Sequence, residues 1–155
     1  MGRYIDQILQ PGEQVLYSTT LHAVIYLPAL LAWIVALACF VMERQAQTDG
    51  GKLFWLVVAG LAALAALYWT VKAWFRRWTT ETDVTTLRVV HKTGFIQRST
   101  FEMNLDKVES VDVVQSILGR ILGYGNVTIL GVGEGRKTIG MIAAPLQFRN
   151  NITAR

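Results

Sequence analysis

The clearest pattern in this 155-residue chain is a pair of long apolar runs. Residues 24–42 and 53–71 are each nineteen residues long, and neither contains a charged side chain. Nineteen residues of α-helix span roughly 28 Å, which is close to the hydrocarbon thickness of a bilayer. A helix in the core of a soluble protein carries a polar face, and neither run has one. The pattern therefore predicts two transmembrane helices.

A short polar link joins the two runs. It covers residues 43–52 and contains the sequence Asp-Gly-Gly at 49–51, which favours a turn. A link of this length predicts that the two helices are antiparallel neighbours. The second run is rich in alanine and glycine, and such small side chains allow helices to approach closely. We therefore expect a transmembrane helical hairpin over residues 23–75.

Behind the second run, the period of the pattern changes from that of a helix to that of a strand. Residues 87–92 alternate in character and end at a turn around Gly94. Further strand-like runs lie at 79–85, 95–103, 108–115, 126–130 and 137–142. Apolar i,i+4 pairs within 117–122 predict a short helix, and Pro145 is well placed to begin a C-terminal helix. Residues 76–155 are thus predicted to form a β-rich domain.

The residues in front of the first run are also patterned. Ile5, Ile8 and Leu9 share one helical face, a break follows at Pro11-Gly12, and residues 15–19 alternate like a strand. We expect residues 1–22 to be a separate cytoplasmic segment. The pattern leaves open whether this segment packs on the C-terminal domain.

Charge is distributed unevenly along the chain. The net charge of +4 combines −1 for residues 1–71 with +5 for residues 72–155. Three cations, Lys72, Arg76 and Arg77, follow the second run directly, and we predict that they lie at the membrane surface. Near an anionic leaflet each contributes about 1 kcal/mol. Because cytoplasmic flanks carry the excess of cations, both termini are expected in the cytoplasm.

The chain offers no group of residues suited to catalysis or to metal binding. His22 and His91 stand alone, and Cys39 is the single cysteine, which excludes an internal disulfide. The glycine-rich stretch at 131–138 has Arg136 where a phosphate loop needs glycine, so a hairpin tip is the better interpretation. We expect no enzymatic activity, no cofactor and no metal.

Three stretches carry a resemblance to a known family. They are residues 9–15 with His22, residues 85–94, and residues 105–111 together with 115–125. In these stretches the chain resembles the bacterial membrane-flanked pleckstrin-homology-like (PH-like) domain family. The resemblance implies a membrane protein of the α+β class, in which a PH-like β-sandwich or partly open barrel with a short C-terminal helix follows the hairpin. It implies no enzymatic chemistry, and no phosphoinositide-binding motif carries over.

Gln115, Arg120 and Tyr124 lie in the most family-like stretch, and we consider them possible contacts for a partner. Gln115 and Arg120 have an alternative role, which is to satisfy backbone carbonyls where the sheet is interrupted. The leading hypothesis is a bacterial inner-membrane protein whose PH-like domain binds another protein or a second copy of itself. Anionic-lipid sensing is the alternative, and an accessory subunit of a membrane enzyme or transporter is a third. No nucleic-acid partner is expected.

Overall fold

The computed structural model describes residues 4–94, 98–133 and 135–154. The helices are α1 (Tyr4–Ile8), α2 (Leu27–Gln45), α3 (Asp49–Thr79), α4 (Ile117–Leu122) and α5 (Pro145–Thr153), and the strands are β1 (Val15–Thr19), β2 (Glu81–Thr85), β3 (Arg88–Thr93), β4 (Ser99–Asn104), β5 (Val108–Val114), β6 (Tyr124–Gly131) and β7 (Gly135–Ala143). Short 3-10 turns cover Ala23–Tyr26 and Leu105–Lys107. Two apolar helices and two β-sheets confirm the predicted α+β class.

The chain divides into two compact units. Ala23–Phe75 form the first, which we call the helical unit. The described residues on both sides of this range form the second, which we call the β unit. The segment in front of the apolar helices therefore belongs to the same unit as the C-terminal residues.

The helical unit contains α2 and most of α3. Both helices are long and apolar enough to cross a membrane, and only 17% and 11% of their most apolar windows are buried. Their buried side chains are almost all small: Ala29, Ala36, Cys39, Ala59, Ala66 and Ala73. Within this unit, Trp33 Nε1 donates a hydrogen bond to Thr70 Oγ1 at 3.2 Å. Large apolar side chains cover the rest of the helical surface.

The β unit is built from two antiparallel sheets. The first has the strand order β1-β2-β3-β4, and the second has the order β5-β6-β7. Strand β1 lies beside β2, with Thr19 opposite Thr82 and Val15 opposite Thr85. The N-terminal segment thus supplies the edge strand of the first sheet, which answers the question that the sequence left open.

The core of the β unit lies between the two sheets and beneath α5. Its buried apolar side chains are Val84, Val89, Met103, Leu105, Val127, Ile129, Ile139, Ile142, Phe148 and Ile152. Phe148 and Ile152 belong to α5, which contacts β1, β2, β5 and β6. The predicted C-terminal helix is therefore present and covers the core. Part of the predicted strand at 95–103 lies outside the described residues, and β4 begins at Ser99.

Candidate functional site

The β unit joins the helical unit through two points of the chain, after His22 and before Arg76. The strands next to these points are neighbours, because the last residue of β1, Thr19, lies opposite Thr82 near the start of β2. Both connections therefore leave the same end of the first sheet. We call this part of the β unit the junction end.

The start of β6 and the end of β7 also lie at the junction end. The His22 amide donates to the carbonyl of Met141 at 2.7 Å, and the Ala143 amide donates to the carbonyl of Thr20 at 3.1 Å. The ring of His22 stacks on Tyr124, with centroids 5.3 Å apart and 27° between the planes. His22 thus lies against the start of β6, beside the chain junction.

Polar groups hold α4 next to these residues. Ser116 Oγ caps the helix by accepting from the Gly119 amide at 3.0 Å, and Gly123 ends it in the left-handed conformation at φ 76°. Gln115 Nε2 donates to the carbonyl of Tyr124 at 3.0 Å. Gln115 thus satisfies a backbone carbonyl, which is the structural alternative that the sequence analysis considered for it.

The apolar side chains of α4 point away from the core. Gly119 is its one buried residue, and a Cβ placed there would meet the carbonyl oxygen of Tyr124 at 2.7 Å. The large exposed side chains of this region are Val114, Ile117, Leu118, Ile121 and Leu122. Arg120 is exposed among them, and Tyr124 is half-buried. The structure thus brings Gln115, Arg120 and Tyr124 together around α4.

Sequence reasoning missed this exposed surface. The apolar i,i+4 pairs of α4 resemble those of an ordinary amphipathic helix, which buries them. The signal that was available is Gly119, because a helix that packs through its glycine leaves its larger side chains outside.

A buried ion pair anchors the N-terminal segment. The Glu13 side chain is fully enclosed, and its carboxylate accepts from Arg88 Nε and Nη2 at 3.0 Å each. Thr85 Oγ1 donates to the same carboxylate at 2.6 Å, and the Gln10 amide donates at 2.8 Å. Arg88 Nη2 also donates to the carbonyl of Ile8 at 2.7 Å. The pair thereby joins the segment before β1 to strands β2 and β3.

The electrostatics of Glu13 favour its charged form. Burial raises the pKa of this carboxyl, but hydrogen bonds from Thr85, from the Gln10 amide and from Arg88, with the charge of Arg88, outweigh burial. The pKa of Glu13 therefore lies below its ordinary value, and the carboxylate is ionised at neutral pH.

His91 is the buried histidine of the β unit. Its Nδ1 shares a hydrogen bond of 2.7 Å with Thr82 Oγ1 on the neighbouring strand. Burial, with a smaller contribution from the charge of Lys137, lowers the pKa of His91 to about 4. The ring is therefore neutral at pH 7 and serves as a polar contact between β2 and β3.

The predicted membrane-surface cations follow one another along α3. Lys72, Arg76 and Arg77 are all exposed. Lys72 Nζ lies 5.6 Å from the centroid of the Tyr68 ring, and Arg76 and Arg77 occupy the last turn of the helix. Their role at a membrane surface stays a prediction.

In the described residues, the remaining candidate motifs form neither a metal site nor a phosphate-binding loop. In the part of the chain that the structure describes, no three His, Cys, Asp or Glu residues lie together as a metal-binding group. The glycine-rich stretch forms the tip of the β6–β7 hairpin, where Gly131 lies opposite Gly135. This agrees with the hairpin that the sequence analysis preferred over a phosphate loop.

Comparison with known proteins adds one finding. A family model described as "Bacterial PH domain" matches residues 18–152, from β1 to α5. The match spans both the helical unit and most of the β unit, and it confirms the resemblance noted in the sequence. No curated protein and no solved structure matches this chain.

Proposed function

The chain belongs to the bacterial PH domain family, and we propose from this membership that it is a non-enzymatic membrane protein that binds a protein partner or a second copy through its β unit. Its PH-like β unit would be displayed on the cytoplasmic face of a bacterial inner membrane. The buried Glu13 and His91, together with Arg88, support a non-enzymatic role. Their polar atoms bond to other side chains of the fold, Glu13 to Arg88 and His91 to Thr82, and so hold strands together.

The exposed surface of the helical unit supports a membrane anchor. A core helix of a soluble protein is mostly covered, whereas α2 and α3 leave most of their apolar windows uncovered. A continuous apolar surface of this size needs an apolar environment, and two helices of sufficient length suit a bilayer. The exposed cations Lys72, Arg76 and Arg77 favour the cytoplasm for both termini.

The observation that carries the binding proposal is the β5 edge of the second sheet. Among the described strands β5 pairs only with β6, so its outer edge offers backbone hydrogen-bonding groups to an added strand. Val108, Val111 and Val113 are half-buried along β5 because they pack against the core of the β unit, so the strand that presents this edge is anchored in the core.

The β4 edge of the first sheet is less suited to this role. The exposed side chains of β4 are Ser99, Thr100, Glu102 and Asn104. Polar and charged side chains on an edge strand discourage pairing with another chain. We assign the partner to β5, which exposes the apolar Val114 besides Glu109 and Asp112, with either a peptide strand of another protein or β5 of a second copy as the added strand.

Cysteine crosslinking in native membranes, combined with native mass spectrometry, tests this proposal. In a Cys39→Ala background, Asp112→Cys places an exposed thiol on β5, and Thr100→Cys places a matched thiol on β4. We expect crosslinks from position 112 and not from position 100. The extracted protein should also appear as a species heavier than the 17.3 kDa monomer. A monomer without crosslinks would contradict the proposal.

Recognition of anionic lipid is a second candidate, and it rests on Arg76 and Arg77. Both are exposed in the last turn of α3, next to the junction with β2. Charges at this position attract an anionic leaflet, and salt screens the attraction. A monomer that retains anionic lipid after extraction, and loses it when both arginines are changed to glutamine, would favour this candidate over protein binding.

A further inference from the structure

We propose that α4 is a second membrane contact, whose exposed aliphatic side chains enter the boundary between headgroups and acyl chains of the bilayer. The inference rests on the proposed function, because it requires the helical unit to be inserted. It assigns the bilayer, and not another protein, to the apolar surface of α4.

The first argument is that α4 is built to keep its apolar side chains outside. Ile117 and Ile121 are 82% and 74% exposed, which is unusual for large aliphatic residues. The helix is held by Ser116, Gln115 and Gly123 through polar contacts, while Gly119 faces the unit. Folding of the β unit therefore does not account for these side chains, and an external apolar environment does.

The second argument is the position of α4 in the β unit. The residue that caps its C-terminus, Gly123, accepts a hydrogen bond from the Ala144 amide through its carbonyl oxygen at 2.9 Å. The next residue, Tyr124, stacks on His22, which is the last residue before the helical unit begins. The exposed aliphatic surface is thus at the junction end, where the chain is held at the bilayer once the helices are inserted.

The third argument is the chemistry of the surface. Residues 114–124 contain no acidic side chain, and Arg120 is their single cation. Interfacial helices combine leucine-type side chains with basic residues, and Arg120 complements an anionic leaflet. The centres of protein interfaces are instead enriched in tryptophan, tyrosine and methionine. The exposed side chains of α4 are isoleucine and leucine, which favours lipid.

Depth-dependent quenching in proteoliposomes tests this inference on the full chain. In the Cys39→Ala background, a fluorophore is attached at Ile121→Cys, and nitroxide-labelled lipid serves as the quencher. Val132→Cys is the matched control, because Val132 is also aliphatic and 67% exposed. It lies at the hairpin tip, at the opposite end of β6 from Tyr124, about 25 Å away. We expect quenching at position 121 that is several-fold stronger than at 132.

A third label separates failure of this inference from failure of the membrane anchor. Leu61→Cys reports on the middle of α3, where Leu61 is exposed. Quenching at 61 without quenching at 121 would overturn the lipid contact of α4 and leave the anchor intact. Absence of quenching at both positions would overturn the proposed function itself. A label at 121 that is shielded from water but not quenched by lipid would assign the surface to a protein and overturn the inference.

Discussion

The carboxylate of Glu13 accepts two hydrogen bonds of 3.0 Å from the guanidinium of Arg88, although 75 positions separate the two residues in the chain. The helical unit lies between them in sequence. The pair therefore closes the β unit around an insertion, and it does so with a buried charge on the N-terminal side.

Glu13→Gln should destabilise the β unit strongly. It leaves the guanidinium of Arg88 without its buried partner, and loss of one partner of such a pair costs about 3–5 kcal/mol. Glu102→Gln is the matched control, because Glu102 bonds the same guanidinium but is 35% exposed, and its loss should cost less than about 1 kcal/mol. Hydrogen exchange of the β2 and β3 amides in nanodiscs measures both. Equal losses for the two variants would contradict this assignment.

Residues 76–155 alone should not fold. They lack β1 and Glu13, so one edge of β2 and the guanidinium of Arg88 lose their partners. Joining residues 1–22 to residues 76–155 through a flexible glycine–serine linker should restore the fold, because the β unit then contains all its strands. Dispersion of amide proton resonances distinguishes the two proteins. A well-dispersed spectrum from residues 76–155 alone would show that β1 is dispensable.

His91 should make the β unit sensitive to mild acid. Its pKa is about 4 in the folded protein and 6.5 as an ordinary histidine, so between these values the unfolded chain binds a proton that the folded chain does not. The stability of the folded β unit that depends on neutral His91 is therefore fully present above pH 6.5. The free energy of unfolding then falls by about 3 kcal/mol as the pH drops to 4. Unfolding of the β unit, followed against pH, measures this loss. His91→Gln should remove the slope, and an unchanged slope would assign it to another group.

Gly125→Ala should disturb the start of β6. A Cβ at this position would meet Gln115 Cγ at 2.7 Å and the carbonyl oxygen of Val114 at 2.9 Å, so the backbone must shift. Overpacking of this kind costs about 1–3 kcal/mol. Gly140→Ala on β7 is the control, because its nearest neighbour would be Asn126 Oδ1 at an ordinary 3.5 Å. In thermal unfolding, Gly125→Ala should lower the melting temperature, and Gly140→Ala should lower it less.

Local patterns in the sequence were sufficient to predict the apolar helices and to identify the family. The predicted runs at 24–42 and 53–71 lie within the two apolar helical segments Ala23–Gln45, which includes the 3-10 turn before α2, and Asp49–Thr79. Length and lack of charge are properties of one segment, so the sequence alone was enough to find them. The end of β3 before Gly94, which has a φ of 85°, and the helix at Pro145 also follow from the residues themselves. The family match over residues 18–152 confirms the resemblance carried by short motifs.

Properties that depend on distant partners could not be predicted in this way. The alternation at 15–19 predicts a strand, but it does not identify β2 as its neighbour. Glu13 lies in a polar stretch typical of a surface, and only the fold shows that Arg88 encloses it. The apolar i,i+4 pairs within 117–122 predict a short helix, but they do not show that its large side chains stay exposed while Gly119 is buried.

The interruption of the β unit by the apolar helices also sets an order of events during synthesis. Strand β1 ends at Thr19, and its partner β2 begins at Glu81, about 60 residues later, which corresponds to about 3–12 s of translation. The apolar helices leave the ribosome within this interval. With both helices inserted as we propose, His22 and Arg76 emerge on the same side of the membrane, and the first sheet can close. A chain with one of the two helices left outside the bilayer would hold β1 and β2 on opposite sides, so closure of the sheet would act as a check on the proposed insertion.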